Sequence, residues 1–257
     1  MAVACGNTVL TGSSGSIAMT PAGTSVCLSD FTDFPAGDKI TIPEGTGFLV
    51  GDQVTFTVTA PGVLDGALTA GTSYFVVALT STTMSVATAA GGTAITLDGD
   101  GGTGSANTGG HIDLKMSEFT SVCNVTTFDL SLDREQIETT SLSCVCATGS
   151  SEGLAPFKTY QPGFIDGTGS MTVQFTEDQT TMASRLLKSS LMSDQSGAQA
   201  RLYINAVCTA GEIDNSKSAY IEAPISILGF SFAVSPEEVT TATLNFALSG
   251  QPTAFTL

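Results

Sequence analysis

The sequence predicts a mainly β protein: an antiparallel β sandwich or barrel with one α-helix, plus an inserted small all-β domain. Three observations carry this. Short runs along the whole chain alternate apolar and polar residues at period two. One segment alone, 177–193, repeats its apolar residues at helical spacing. Residues 34–107 carry few charges and are dense in Gly, Ala and Thr, unlike the segments that flank them. The predicted division is therefore residues 1–35 and 108–257 as one domain, interrupted by an inserted domain at 36–107.

Within the insertion, Val54-Thr-Phe-Thr-Val58 alternates as a half-buried strand does, and residues 74–79 are continuously apolar, as in a central strand. Residues 84–88 and 94–97 supply two further short strands. Pro61-Gly62, Asp65-Gly66, Ala70-Gly71 and Gly91-Gly92 are turn chemistry between them. The tract Asp98-Gly-Asp-Gly-Gly-Thr-Gly-Ser105 is flexible by composition and reads as the exit linker. A calcium loop begun at Asp98 needs acids at its third, fifth and twelfth places and meets Asp100, Gly102 and Gly109, so that reading fails. His111 follows as a surface residue beside the linker.

Beyond the linker the strands lengthen. Residues 122–133 set Phe128, Leu130 and Leu132 against Thr127, Asp129 and Ser131. Residues 170–176 repeat the pattern, with Met171, Val173 and Phe175 opposed to Thr172 and Gln174. So do 201–207 and 238–248, where Leu244, Phe246 and Leu248 oppose Thr241, Thr243 and Asn245. The helix at 177–193 has Thr176 as N-cap with Gln179 three residues on, and Glu177 and Asp178 at the positive end of its dipole. Met182, Leu186, Leu187 and Leu191 form its apolar stripe, with Arg185 and Lys188 on the other side. The stretch 133–169, rich in Gly, Ser and Pro around a short possible strand at 139–145, reads as a long loop of the functional kind.

Composition narrows the chemistry. At 257 residues the chain is long enough to bury a sizeable core. Its 24 acidic against 8 basic residues give a formal charge of -16, which repels nucleic-acid phosphates and excludes a basic nucleic-acid reader. Only 12% of residues are charged, about half the usual share, so much of the surface is neutral or covered by partners. No apolar run reaches the roughly 18 residues of a membrane helix, and the first residues lack a basic and apolar secretion signal, so membrane insertion is not expected and assembly in a cytoplasm is. Cys5, Cys27, Cys123, Cys144, Cys146 and Cys208 read as reduced, mostly buried thiols. Cys144-Val-Cys146 lacks the second pair of a structural zinc site, so neither metal nor cofactor is expected. Gly149-Ser-Ser-Glu-Gly153 has the Gly-x-Ser-x-Gly spacing, but it lies in the Gly- and Ser-rich loop with no predicted helix directly after it, and the carboxylates are scattered singly apart from Glu177-Asp178 and Glu237-Glu238, so no enzyme activity is expected.

The order of elements resembles the major tail tube protein of long, non-contractile bacteriophage tails. Three segments carry the resemblance: Asn124-Val-Thr-Thr-Phe-Asp-Leu-Ser-Leu-Asp-Arg-Glu-Gln-Ile-Glu-Thr-Thr-Ser141 as a strand entering a loop, Gly167-Thr-Gly-Ser-Met-Thr-Val173 as the return strand, and Ile227-Leu-Gly-Phe-Ser-Phe-Ala-Val-Ser-Pro-Glu-Glu-Val-Thr-Thr-Ala-Thr-Leu-Asn-Phe246 as the closing hairpin. The match spans residues 1–35 and 108–257. The insertion, through Gly51-Asp-Gln-Val-Thr-Phe56, Gly66-Ala-Leu-Thr-Ala-Gly-Thr-Ser-Tyr-Phe-Val-Val77 and Ala94-Ile-Thr-Leu97, is similar to small β repeats of phage tail and fibre proteins, and is expected to decorate the exterior.

This resemblance implies a tail-tube fold and a structural virion protein of the viral tail, whose copies form stacked hexameric rings. Genomic DNA would pass down the bore unbound. Tape measure, tail terminator and distal tail proteins would be its neighbours. Outside residues 38–105 there are 18 acids and 7 bases, so the acidic excess belongs mainly to the tube part. Asp129, Thr172, Gln174, Thr241, Thr243 and Asn245 are then the lumen candidates. The loop 133–169 would stack ring on ring, with Arg134, Glu135, Glu138, Lys158 and Tyr160 as contact candidates. Two other readings fit the β pattern: a binding, adhesin or fibre module, for which clustered exposed aromatics are thin, and a tail-terminator-like ring protein.

Overall fold

Period-two alternation and the Gly- and Pro-rich turns translate, among the described residues, into sixteen strands around a single helix. The computed structural model describes residues 15–28, 33–60, 63–99, 111–122, 124–138, 160–174, 182–209, 212–233, 240–252 and 254–256. In chain order the strands are β1 (Ser16–Thr20), β2 (Ser25–Leu28), β3 (Ile40–Thr41), β4 (Gln53–Thr59), β5 (Ser73–Leu79), β6 (Thr83–Ala87), β7 (His111–Met116) and β8 (Thr120–Ser121). Then come β9 (Val125–Glu138), β10 (Tyr160–Gln174), helix α1 (Met182–Leu191), β11 (Gln199–Asn205), β12 (Cys208–Thr209), β13 (Glu212–Ile213), β14 (Ala219–Ala233), β15 (Thr241–Leu248) and β16 (Ala254–Thr256). The fold is mainly β and antiparallel. Among the described residues no helix is long and apolar enough to cross a membrane.

The smaller sheet runs β2-β7-β4-β5-β6-β3. Alternate residues of its strands, among them Val54, Phe56, Tyr74, Val76, Met84, Ile112 and Leu114, turn to one side and are sealed there by Phe34, Ile42, Phe48 and Leu68 from the connections. Two of these strands, β2 and β7, come from outside the interval 36–107, so the inserted residues complete a sheet that the flanking chain begins. The expected strand at 94–97 is reduced to an isolated bridge between Leu97 and Gly37. Within it Ile95 N–H still donates to Val86 O at 2.9 Å, and just beyond it the buried Asp65 carboxylate accepts the N–H groups of Ala67 at 3.0 Å, Asp98 at 3.3 Å and Gly99 at 2.9 Å, so a side chain rather than a ladder satisfies the backbone after Leu97.

The larger sheet runs β8-β1-β11-β14-β15-β10-β9, with β16 also on β14. Strand β14 makes the bend: its first half pairs with β11 and its second half with β15, turning the sheet into a half-barrel. Inside lie Ile17, Met19, Met171, Leu202, Ile225, Leu244 and Phe246, with Met182 and Leu186 of α1 closing the core. Gly169 is a packing requirement here, since a Cβ on it would sit 2.5 Å from Phe246 Cζ.

Helix α1 corrects the sequence reading of its faces. Leu191 is 82% exposed, while Arg185, expected outside, is buried. Its guanidinium donates to both carboxylate oxygens of Asp52 at 2.7 Å and to the Gly47 carbonyl at 3.0 Å. The second side of the helix is covered by the 47–52 segment of the smaller sheet, a neighbour that helical periodicity alone does not reveal. The two sheets meet closely at this place. Gly47 N–H donates to Gly23 O at 2.8 Å, and a Cβ on Gly47 would lie 2.0 Å from Ala22 O. The expected N-cap around Thr176, Glu177, Asp178 and Gln179 lies outside the described residues.

The long-loop reading of 133–169 is also corrected. Both ends are strand: β9 continues to Glu138 and β10 starts at Tyr160, paired from Tyr160↔Glu138 to Thr168↔Ser131 with a register shift between Pro162 and Ile165. Pairing with each other satisfies the backbone groups of both segments without help from side-chain alternation. Residues 139–159 lie outside the described residues.

Candidate functional site

Strands β9, β10, β15 and β14 form a continuous sheet with two unlike faces. The register aligns Asp129, Ser170, Asn245 and Gly229 in one row across it, Thr127, Thr172, Thr243 and Ser231 in the next, and Gln174, Thr241 and Ala233 in the third. This face is hydroxyl-rich, with Asp129 the one ionisable residue of the three rows. Ser170 Oγ donates to Asp129 Oδ1, and the Thr172 and Thr243 hydroxyls are 3.2 Å apart. The other face carries Phe128, Met171, Val173, Leu244 and Phe246 into the core. All six lumen candidates, Asp129, Thr172, Gln174, Thr241, Thr243 and Asn245, therefore share one side of the sheet.

Following that polar face outward along β9 and β10 adds Ser131 and Thr168, then the acids Asp133 and Asp166, directly opposite one another, then Glu135, and at the end Ile137. Like charges facing across a ladder are unfavourable within an isolated hairpin. The four strands contain a single basic residue, Arg134, and alternation puts it on the opposite side. Sequence reasoning missed Asp133 and Asp166 as part of this face because it ended the strand at 133 and began its partner at 170.

Past Thr168, β10 loses its neighbour β15, so residues 160–167 pair with β9 alone. The result is a two-stranded ribbon that projects beyond the core. Its apolar side chains are uncovered: Leu132 is 47% exposed, Ile137 46%, Tyr160 52% and Ile165 58%. At its base Leu132, Arg134 and Ile165 line a groove with Leu248 and Pro252. Of the contact candidates, Arg134, Glu135, Glu138 and Tyr160 sit on this ribbon, exposed, in strand rather than loop; Lys158 lies outside the described residues. Among the described residues Arg134 and Glu135 form no ion pair.

The two described cysteines differ from the expectation of buried thiols, since Cys27 and Cys208 are both free and exposed. Cys27 sits on the outward face of β2, and Cys208 on the small β12–β13 hairpin. Partial burial, and then the Asp113 and Asp33 carboxylates, push the Cys27 thiol pKa up. Cys5, Cys123, Cys144 and Cys146 lie outside the described residues.

Compared with known proteins, the chain matches no protein-family model and no curated protein. Several solved structures are similar to it, among them two gene transfer agent structures. One, from the virion of a native gene transfer agent (GTA) particle, is 16% identical, with 54% of this chain and 89% of that chain covered and a TM-score of 0.37. The other, from the tail of an empty GTA particle solved by helical refinement with C6 symmetry, is 15% identical, with 55% of this chain and 88% of that chain covered and a TM-score of 0.38.

Proposed function

We propose that this chain is the structural wall subunit of a phage-like tail tube. Its copies close into hexameric rings, the rings stack, and the polar face of β9, β10, β15 and β14 lines the bore. One observation carries the reading: the β9–β10 ribbon leaves the core with Leu132, Ile137, Tyr160 and Ile165 uncovered. A lone two-stranded ribbon is marginal in water, and exposed strand edges invite pairing, so a second copy is the natural cover. Head-to-tail contacts of this kind propagate into a filament, whereas lateral contacts close a ring.

The bore face supports the same reading. A wall of Thr and Ser hydroxyls and the Asn245 amide, with Asp129, Asp133, Glu135 and Asp166 and no Lys or Arg among the described residues of that side, gives phosphates nothing to bind and releases no counterions. Duplex DNA would slide past it unbound. The reading places the protein in the virion tail, assembled in the host cytoplasm beside tape measure, terminator and distal tail proteins, and assigns it no catalytic step. Negative-stain microscopy of the concentrated protein tests it. Filaments with a central hole are expected, and monomers at every concentration and salt condition would overturn it.

A further inference from the structure

Away from the ribbon, β2 and β7 bring three donor groups of different chemistry together. Cys27 stands directly opposite Asp113 in the register, and His111 precedes Asp113 by two positions, so all three project from the same outward face. One ligand atom from each lies within 4.8 Å of the others. His111 Nε2 and Asp113 Oδ2 are 3.5 Å apart. A tetrahedral zinc ion, with bonds of about 2.0–2.2 Å to nitrogen and oxygen, holds such a pair about 3.4 Å apart. His111 is also the only histidine of the chain.

We propose that Cys27, His111 and Asp113 bind one divalent transition-metal ion of the zinc class, with water as the fourth ligand. A thiolate and an imidazole beside one carboxylate form a donor set of borderline softness. That favours zinc-like ions over magnesium or calcium, which take oxygen shells. On binding, the Cys27 S–H bond breaks, its proton goes to solvent and the sulfur lone pair forms the bond to the metal. Thiolate and carboxylate then offset both charges of the ion. Lys115 is the competing cation, its Nζ 4.0 Å from Asp113 Oδ2, but its side chain is 52% exposed on a flexible stem and free to swing away. The bound ion staples β2 to β7, the pair through which the inserted residues join the rest of the chain.

The test is titration of the reduced, full-length, unpolymerised protein with Co(II) and Zn(II), so it reads independently of tube formation. Binding is followed by the thiolate-to-cobalt charge-transfer absorption and by competition with a chromogenic chelator. One equivalent is expected, with the charge-transfer band lost in Cys27→Ser. His111→Ala and Asp113→Asn should each weaken binding by more than about 100-fold, beyond the usual effect of losing an outer-shell partner. Lys115→Met should tighten binding, and Cys208→Ser should leave it unchanged. All five positions face solvent at least in part, and circular dichroism of each variant checks that the fold is kept. Absence of any equivalent would overturn the proposal, as would a band that survives Cys27→Ser and so belongs to the other cysteines.

Discussion

In the smaller sheet each strand turns its apolar side chains into a core that the chain's own connections seal, whereas β9 and β10 carry apolar side chains past the end of the core they belong to. Both regions are built from the same alternating pattern. They differ in where the pattern finds its partner. Phe34, Phe48 and Leu68 plug the first core from within the molecule. Leu132 and Ile165 meet no such plug and line an open groove. On the proposed function, the self-sealed sheet would be an appendage and the unsealed one a joint between copies.

The strongest way to break this comparison is to remove the joint. Leu132 and Gly167 face each other in the register, so replacing residues 133–166 with Asn-Gly closes the ribbon by a two-residue turn. The subunit should stay folded, its circular dichroism losing only the strand signal of the ribbon, and form no tubes in micrographs; persistent long tubes would show that the ribbon is not the stacking element.

Next in size is the link between the two regions. Arg185→Ala leaves the Asp52 carboxylate buried without its partner and should cost about 3–5 kcal/mol in chemical denaturation. The double variant with Asp52→Ala should cost less than the sum of the two single changes. Full additivity would mean that the pair does not hold the sheets together.

Gly169→Ala drives a Cβ into the Phe246 ring and should destabilise by about 1–3 kcal/mol, read as a lower denaturation midpoint. Smaller still in stability is the pair Leu132→Thr and Ile165→Thr, expected to stay within about 0.5 kcal/mol because both side chains are largely exposed. Assembly should nevertheless fail, and tubes formed by this variant would remove the role of the apolar groove.

The least effect is local to the β12–β13 hairpin. The Lys217 ammonium and the Ser216 hydroxyl hold the Asp214 carboxyl well below the usual carboxylate range. Its contribution is thus full above the ordinary carboxylate pKa of about 3.9 and is lost as pH falls below that toward the lowered folded value. In an NMR titration Asp214 should protonate well below the ordinary carboxylate range.

The polar sheet face was legible in the sequence because period two is a local property: Thr172 and Gln174, or Thr241, Thr243 and Asn245, declare a common side without knowledge of their neighbours. The strand ends were not. Residues 134–138 and 160–169 lack a strong alternation and form strand because each supplies the other's hydrogen bonds. Arg185 was misjudged for a related reason. On a helix drawn alone it belongs to the polar side, and only the arrival of Asp52, far away in sequence, makes a buried cation affordable. Cys27 and His111 each looked inert singly, and their proximity is a consequence of β2–β7 pairing across the whole insertion.

By itself, then, the amino-acid order determined the fold class, the helix, the acidic balance and the division of each long strand into an apolar and a polar side, since all of these depend on composition or on residues a few positions apart. The tertiary structure decided which strands adjoin, where the sheet runs out of neighbours and which charges meet. Those outcomes depend on hydrogen-bond partners and burial supplied by segments dozens of residues away, and no local pattern encodes them.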